Sequence, residues 1–310
     1  MTQTRYGIIS DIHGDPRVII PAVGVMEQLG VDKYILNGDL ADRKSTLLQS
    51  QYALAIVLVN VARTGKEVIA YPGSHETLGM FNPVIDACIT KFSNLNNGLE
   101  EQVLEAQDHT AVFLPGSDFL CGGEYKLTRN NLPTGIYNPN RGLIYHSNMN
   151  DLRKLVIDGE KTILFCHIPR KFNFPGEGVD TAYFAEKEDR SIIPGVVFDA
   201  QVEQQYGKIS EDDKKLIAAK NGLTLKREHR GNIELRDILL ELKVTKAVNG
   251  HFHESSHKAH DKFGRFVPQG EFVSELYWNS GDLSLGYCGI LTVQDGKVSY
   301  QNINLSDYLQ

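Results

Sequence analysis

The sequence of 310 residues predicts an α/β fold built around a parallel β-sheet. Three short apolar runs, residues 6–9, 34–36 and 67–71, alternate with two segments of helical period. Polar turn residues follow each run directly. Strands that alternate with helices pair in parallel through right-handed crossovers, so we expect the carboxyl ends of these three strands to meet at one edge of a sheet.

The intervening segments carry helix-boundary signals. The first predicted helix, residues 18–29, ends at Gly30, which is a good C-cap. The second begins at a cap provided by Ser45 or Thr46, runs to about residue 62 and is closed by Gly65. Later in the chain we predict helices over 83–92 and 233–242 and strands over 111–114, 118–121, 161–166 and 243–248.

Two segments have no clear period. Residues 125–150 are rich in Asn, Gly and Pro and are predicted to form a long surface loop. Residues from about 170 to 230 mix aromatic residues with charge clusters, and a structureless loop of that length is improbable inside a compact domain. We expect a cap-like insertion with its own helices there. Near the C-terminus, Asp295-Gly296 between two apolar runs predicts a hairpin that closes a second sheet.

Composition excludes several classes of protein. Hydrophobic residues make up 41% of the chain and charged residues 23%, as in an ordinary globular protein. The formal net charge of −7 gives no general basic field for holding a polyanion. No secretory signal or membrane span is visible, and the four cysteines show neither pairing nor zinc-knuckle spacing. These features indicate a reduced, cytoplasmic protein.

Five predicted strand ends carry aspartate or histidine at spacings that suit metal binding. One such string alone is typical of a solvated turn, but its repetition at five strand ends favours a metal site. Imidazole and carboxylate ligands together suit manganese, iron, zinc or nickel. The five strings are Asp11-Ile12-His13-Gly14, Gly38-Asp39-Leu40-Ala41-Asp42-Arg43, Gly73-Ser74-His75-Glu76, the single His167, and Gly250-His251-Phe252-His253.

Taken together, these strings resemble the calcineurin-like metallophosphoesterase superfamily, whose signature is D-x-H, G-D-x-x-D-R, G-N-H-E or G-N-H-D, a lone His, and G-H-x-H. The resemblance spans residues 7–253 in the family's order. It implies a four-layer αββα sandwich of two mixed sheets. Residues 1–310 would form a single domain, with the insertion at about 170–230 lying between the fourth and fifth motifs.

The resemblance also implies two divalent metal ions and a role for each motif residue. One metal would be held by Asp11, His13, Asp39 and His253, and the other by Asp39, His167, His251 and the residue at position 74. His75 would be the catalytic histidine, with Asp42 as its carboxylate partner. Arg43 would either contact a phosphate oxygen or serve as a surface salt-bridge residue.

Two metals about 3.5–4 Å apart can bind a phosphoester and share a hydroxide that attacks phosphorus. His75 would then act as general acid toward the leaving alkoxide. The sequence therefore predicts a hydrolase acting on a phosphomonoester or phosphodiester. Because every motif residue faces only the phosphate, specificity is expected in residues 125–150 and 170–230. His146 is interpreted as a solvated loop residue, with substrate contact as the alternative. His257 and His260 are interpreted as exposed loop residues, with a supporting contact to the last motif as the alternative.

One residue departs from the family signature. Ser74 replaces the asparagine ligand, and its shorter neutral side chain predicts a weaker second metal site. An alternative reading is therefore a binding scaffold that has lost efficient turnover. A nuclease is a further alternative, but it would need a basic track to the metals, for which only scattered residues such as Arg170, Lys171 and 226–230 are available. A nucleic-acid partner is not favoured, no membrane partner is expected, and the oligomeric state stays open.

Overall fold

The computed structural model describes residues 3–129, 136–138 and 142–309. In chain order the strands are β1 (Gln3–Ile9), β2 (Lys33–Asn37), β3 (Glu67–Tyr71), β4 (Leu95–Asn97), β5 (Val103–Glu105), β6 (Thr110–Leu114), β7 (Tyr125–Thr128), β8 (Ile136–Asn138), β9 (Gly142–Asn148), β10 (Thr162–Cys166), β11 (Thr181–Lys187), β12 (Ile192–Pro194), β13 (Leu223–His229), β14 (Lys246–Asn249), β15 (Ala259–His260), β16 (Leu276–Asn279), β17 (Tyr287–Gln294) and β18 (Lys297–Asn304). The α-helices are α1 (Ile19–Gln28), α2 (Leu47–Ala62), α3 (Leu78–Ile89), α4 (Leu152–Leu155), α5 (Gly195–Tyr206), α6 (Glu211–Lys220) and α7 (Ile233–Glu241).

Two six-stranded mixed sheets form the body of the protein. The first has the order β18-β17-β1-β2-β3-β4 and the second the order β15-β16-β14-β10-β6-β5. Strands β1 to β4 pair in parallel, as do β6, β10, β14 and β16, while antiparallel strands flank both parallel sets. The predicted parallel arrangement of the first three strands is confirmed.

Three layers of apolar side chains hold these elements together. Between the sheets, Tyr6 and Ile8 of β1 pack in one cluster with Phe113 and Phe165 of the second sheet. On the outer face of the first sheet, Ile9 packs with side chains of α1, α2 and α3. The outer face of the second sheet is covered mainly by α4 and α7. Alternate residues of each inner strand point to opposite faces of its sheet and so pack in different layers. With helices on both outer faces, the predicted four-layer αββα sandwich is confirmed.

Helix α3 begins five residues earlier than the sequence pattern predicts. Thr77 caps it by accepting a hydrogen bond from the backbone N–H of Met80 (3.3 Å). Pro83 therefore lies inside the helix, where it cannot donate to the carbonyl of Gly79. The side-chain amide of Gln51 in α2 donates to that carbonyl instead (2.8 Å), so the acceptor remains satisfied.

Two other predicted elements differ in the structure. The C-terminal hairpin extends the first sheet, since β17 pairs antiparallel with β1. Residues 118–121 form no strand, because the hydroxyl of Ser117 exchanges hydrogen bonds with the backbone of Phe119 and turns the chain.

The predicted loop at 125–150 also contains strands. Strand β9 pairs in parallel with β7 and antiparallel with β8. Buried and half-buried residues alternate along β7, a period of two that the surrounding Asn, Gly and Pro concealed. Residues 130–135 and 139–141 of the predicted loop lie outside the described residues.

Residues 181–229 form a small unit with its own sheet and core. Its strands have the order β12-β11-β13, and α5 and α6 pack on one face through Ala185, Phe198, Val202 and Ala218. We call this unit, residues 181–229, the insertion module. No helix in the described part of the chain has the length and apolar character to cross a membrane.

Candidate metal centre

The polar motifs meet where strands from both sheets end. They directly follow β1, β2 and β3 in the first sheet and β10 and β14 in the second. Backbone hydrogen bonds join the loops, with Ile12 N–H donating to Asp39 O (2.8 Å) and Gly250 N–H to His167 O (3.0 Å). The loops after β2 and β3 lie so close together that a Cβ atom at position 38 would be 2.8 Å from Gly73 Cα. Only glycine fits at this position.

Four motif residues adopt a backbone conformation that side chains rarely accept. Asp11, His13, Asp39 and His251 have φ angles of 53°, 45°, 52° and 70°. Left-handed backbone at a non-glycine residue costs free energy and persists only where the surrounding structure enforces it. The four candidate ligands thus stand on backbone turns that the surrounding fold enforces.

The first group of candidate ligands contains Asp11, His13 and His253. The Nε2 atoms of the two imidazoles are 3.1 Å apart, and His253 Nε2 lies 3.2 Å from Asp11 Oδ1. All three ligand atoms lie within 4.8 Å of one another. A divalent cation fits such a set, since one carboxylate and two imidazoles converge on a single position.

The second group contains Asp39, His167 and His251. The Nε2 atom of His167 lies 2.9 Å from Asp39 Oδ2. Asp39 also belongs with His13 and His75, because their ligand atoms lie within 4.8 Å of one another. The family resemblance implies that Asp39 binds both metals, and the structure places this carboxylate beside residues of both groups.

Ser74 is buried against the same carboxylate. Its hydroxyl donates to Asp39 Oδ2 (2.8 Å), the oxygen that also faces His167. The backbone N–H of Ser74 and that of His75 (2.9 Å) both donate to Asp39 Oδ1. The position that the family signature gives to an asparagine therefore reaches the cluster, although its hydroxyl is directed at Asp39.

Outer partners hold three of the imidazoles so that their Nε2 atoms face the cluster. His167 Nδ1 donates to the carbonyl of Asn37 (2.9 Å), and His253 Nδ1 pairs with Asp282 Oδ2 (3.0 Å). His13 Nδ1 lies 2.8 Å from Asp42 Oδ1. Partners of this kind orient metal ligands and raise their basicity.

Asp42 contacts two histidines, whereas the sequence predicted one. Besides His13, it lies 3.0 Å from Nδ1 of His75, the predicted catalytic residue. Burial opposes protonation of His75, but the carboxylate of Asp42, the thiol of Cys121 and the charge of Asp39 outweigh it and raise the pKa of the imidazole to about 10. His75 is therefore a charged donor at neutral pH.

The sequence analysis assigned no role to two carboxylates near the centre, Glu76 of the third motif and Asp282. Glu76 is fully buried and accepts hydrogen bonds from the backbone N–H groups of Leu40 (2.5 Å) and Gly73 (2.8 Å), so it fixes two motif loops to each other. Burial and the nearby Asp39 raise the pKa of Glu76 to about 7. Asp282 follows β16 at the same edge, and its position after a buried strand was the signal available in the sequence.

The other histidines lie outside the candidate ligand groups. His146 lies on β9, where its side chain is half-buried, not in a solvated loop. His257 is half-buried, and His260 is buried with its Nε2 accepting from the backbone N–H of Val179 (3.0 Å), so the interpretation of both as exposed loop residues was wrong. Arg43 is exposed and makes no hydrogen bond or ion pair with the described residues.

Electrostatics at the centre favour cations. Burial would raise the pKa of Asp11, but the imidazoles of His167, His13 and His253 hold it well below its usual range. Conversely, burial would lower the pKa of His13 and of His167, but the surrounding carboxylates raise these values to about 11 and about 9. Protonated imidazoles thus balance the negative charge of the buried carboxylates, and divalent cations would supply the same positive charge.

Metal affinity is therefore expected to rise with pH. At neutral pH, His13 and His167 hold protons that a metal must displace, and displacement becomes easier as the pH approaches the raised pKa of His167, about 9. We expect the apparent affinity to increase about tenfold per pH unit for each proton released. Calorimetry between about pH 6 and 9, in buffers of different ionisation enthalpy, measures the apparent affinity and the number of protons released. Binding without proton release would contradict the argument.

The fold and this centre define a class: a phosphoester hydrolase of α/β sandwich architecture. The model of the calcineurin-like phosphoesterase family matches residues 4–255, and the chain belongs to that family. No curated protein sequence matches the chain.

Solved structures share the fold at low sequence identity. The protein TT1561 of Thermus thermophilus superimposes with a TM-score of 0.58 at 11% identity, over 98% of this chain and 100% of that one. A dimetal phosphatase from Danio rerio reaches a TM-score of 0.46 at 10% identity, over 97% of this chain and 99% of that one. The similarity to TT1561 shows that this chain has the same fold as that protein.

Proposed function

We propose that the protein is a dinuclear metal-dependent hydrolase that cleaves a phosphomonoester or a phosphodiester. The observation that carries the proposal is the position of Asp39, which lies within 4.8 Å of ligand atoms of His167 and His251 on one side and of His13 and His75 on the other. A carboxylate shared in this way suits a pair of cations. The proposal adds a second metal and a mechanism to the family's general activity.

The two metals would be bound by side chains of both sheets. Asp11, His13, Asp39 and His253 would hold one cation, and Asp39, His167 and His251 the other, with Ser74 beside it. Two divalent cations there would polarise the phosphoryl oxygens and lower the pKa of a shared water. The strained loops and the outer partners Asn37, Asp42 and Asp282 would orient the ligands of both metals.

His75 would protonate the leaving oxygen. Asp42 faces Nδ1 of His75, so the Nε2–H would be the donor toward the leaving oxygen. The side chain is partly exposed, so a substrate can reach it. A charged donor close to the reacting phosphate stabilises the negative charge that develops on the leaving group.

Hydrolysis of chromogenic esters tests this function. Metal-free protein reloaded with manganese, iron, zinc or nickel should hydrolyse p-nitrophenyl phosphate or bis-p-nitrophenyl phosphate, and a chelator should abolish the activity. The preferred ester identifies a monoesterase or a diesterase. If two metals bind but neither ester is hydrolysed with any of them, the protein is a binding scaffold and the proposal fails.

Nuclease activity receives no support from Arg170, Lys226 and Arg230, three of the basic residues that the sequence offered for a track. Arg170 is buried and stacks against the rings of Phe172 and Tyr277. Lys226 pairs with Glu186, and Arg230 pairs with Glu228 (3.0 Å). A track for a long polyanion needs accessible, uncompensated cations.

Replacing Ser74 with asparagine is expected to tighten the second metal site. The longer carboxamide would place an oxygen where the hydroxyl now donates to Asp39, and so add a ligand to a site with three protein ligands. We expect wild-type protein to show two unequal metal affinities and the variant to bind the weaker metal about tenfold or more tightly. Calorimetric titration of metal-free protein measures both steps. Ser306→Asn, the same exchange on the exposed surface near the C-terminus, is the matched control.

A weaker second step in Ser74→Asn would contradict this expectation. In that case the serine, or a neighbouring group, already provides an adequate ligand. The scaffold alternative would then lose the observation on which it depends.

A further inference from the structure

A histidine that the proposed function does not use is buried beside the apolar layer between the two large sheets. His109 directly precedes β6 and is only 2% exposed. Strand β6 runs parallel to β10, and the candidate ligand His167 follows the end of β10. His109 therefore lies at the opposite end of the second sheet from the metal centre, and any role that it has is separate from metal binding.

The imidazole of His109 joins the two sheets through its two ring nitrogens. Its Nε2 lies 2.7 Å from the hydroxyl of Tyr6, which is on β1 of the first sheet. Its Nδ1 lies 2.8 Å from Oδ1 of Asp108. The other oxygen of that carboxylate accepts a hydrogen bond from the backbone N–H of Gly296, in the turn between β17 and β18 (3.2 Å). The start of β6 is thus tied to two elements of the first sheet.

These contacts fit the neutral form of the imidazole. A carboxylate can only accept, so Nδ1 carries the proton and donates to Asp108. Burial raises the pKa of Tyr6 well above its ordinary value, so the hydroxyl keeps its proton and donates to the bare Nε2. A second proton, on Nε2, would set two donors against each other unless the Tyr6 hydroxyl turned its own proton toward the apolar layer.

Burial and neighbouring cations also oppose protonation of His109. Burial has the largest effect and lowers the pKa of this imidazole, and Asp108 counteracts it. The ammonium groups of Lys33 on β2 and Lys246 on β14 lower the pKa further. The net result is a pKa below the ordinary value of histidine.

The acidic side chains of the neighbouring strands are engaged elsewhere. Glu67 on β3 pairs with the ammonium of Lys33 (2.5 Å), and Glu105 on β5 accepts a hydrogen bond from the hydroxyl of Thr110 (2.9 Å). Within the described part of the chain, Asp108 is the only carboxylate that pairs with the imidazole of His109. No second carboxylate in this part of the chain therefore stabilises the charged form by direct contact.

We propose that Tyr6, His109 and Asp108 form a pH-sensitive clamp, which holds the two sheets together while His109 is neutral and releases them when it is protonated. The inference does not depend on the proposed hydrolysis, because the clamp contains no candidate metal ligand. A histidine of the unfolded chain titrates near pH 6.5, whereas His109 of the folded protein binds its proton only at lower pH. The stability that the clamp contributes is therefore complete above about pH 6.5 and is lost as the pH falls below it, since the unfolded chain binds the proton first.

Urea unfolding between about pH 5 and 8 tests the clamp. His109→Gln keeps an acceptor for the Tyr6 hydroxyl but cannot titrate. Below about pH 6.5, wild-type protein should take up about one more proton on unfolding than this variant, so its unfolding equilibrium constant should rise by up to about tenfold more per pH unit. Tyr300→Phe removes the hydroxyl of another buried tyrosine, which donates to the carbonyl of Val267, and is the matched control. It should follow the pH dependence of the wild type.

An NMR titration of the folded protein gives a second measurement, which does not need the glutamine variant. The imidazole of His109 should titrate below pH 6.5, and Tyr6→Phe should move the midpoint upward, because the neutral ring then loses the hydroxyl that donates to it. A wild-type midpoint at or above pH 6.5 would overturn the proposal, as would equal pH dependence of stability in wild type and His109→Gln. If His109→Gln does not fold, the midpoints of the wild type and Tyr6→Phe decide.

Discussion

Replacing Asp39 with asparagine is expected to abolish hydrolysis and to cost the protein at least one metal. Both oxygens of this carboxylate are engaged, with Oδ2 facing His167 Nε2 (2.9 Å) and the Ser74 hydroxyl (2.8 Å), and Oδ1 accepting from backbone N–H groups. An amide would direct a donor at other donors and would lack the charge that binds cations. Loss of an outer partner alone costs about 10- to 100-fold, so we expect a loss of about 10³-fold or more here.

Metal content by mass spectrometry and kcat with p-nitrophenyl esters measure this effect. Asp86→Asn, the same change on the exposed surface of α3, is the matched control and should leave both unchanged. An Asp39→Asn protein that keeps two metals and a near-normal kcat would show that the carboxylate is not shared between them.

Replacing His75 with alanine is expected to leave both metals bound and to lower kcat by about 10²–10⁴. The imidazole contacts Asp42 (3.0 Å) and shares a group with His13 and Asp39, but neither proposed ligand set includes it, so both metals should keep their ligands. An alkoxide needs protonation as it leaves, whereas p-nitrophenolate needs little. The loss should therefore be greater for an alkyl phosphate than for p-nitrophenyl phosphate.

Comparing the rates for the two leaving groups separates a loss of acid catalysis from a loss of activity that affects every substrate equally. His146→Gln alters an imidazole on β9, outside the ligand groups, and should not change the ratio of the two rates. An equal loss of rate for both leaving groups in His75→Ala would remove the general-acid role from this residue.

Local patterns predicted the elements around the centre but not every pairing between them. The first three strands, the helices between them and the cap at Thr46 could be read from period and capping residues, because neighbours in sequence decide them. The β17–β18 hairpin was also evident. Its attachment to β1 was not, since pairing between residues so distant in sequence depends on which sheet edge is open.

Similar reasoning explains what was missed at the centre. Asp11, His13 and Asp39 stand in motifs whose chemistry is visible in one stretch of chain. Glu76 stands in the third motif, but it acts by accepting hydrogen bonds from another loop, and Asp282 pairs with His253 from outside every motif, so neither role is visible in one stretch of chain.

The insertion module begins and ends at adjacent points of the fold. Thr181 and His229 pair directly across β11 and β13, and at this base the hydroxyl of Ser255 donates to the carbonyl of Thr181 (2.8 Å). A segment that joins these two points could therefore be exchanged without changing the strand order of the two large sheets. Evolution, or an engineer grafting a foreign segment there, can change what approaches the centre while the inherited chemistry stays intact.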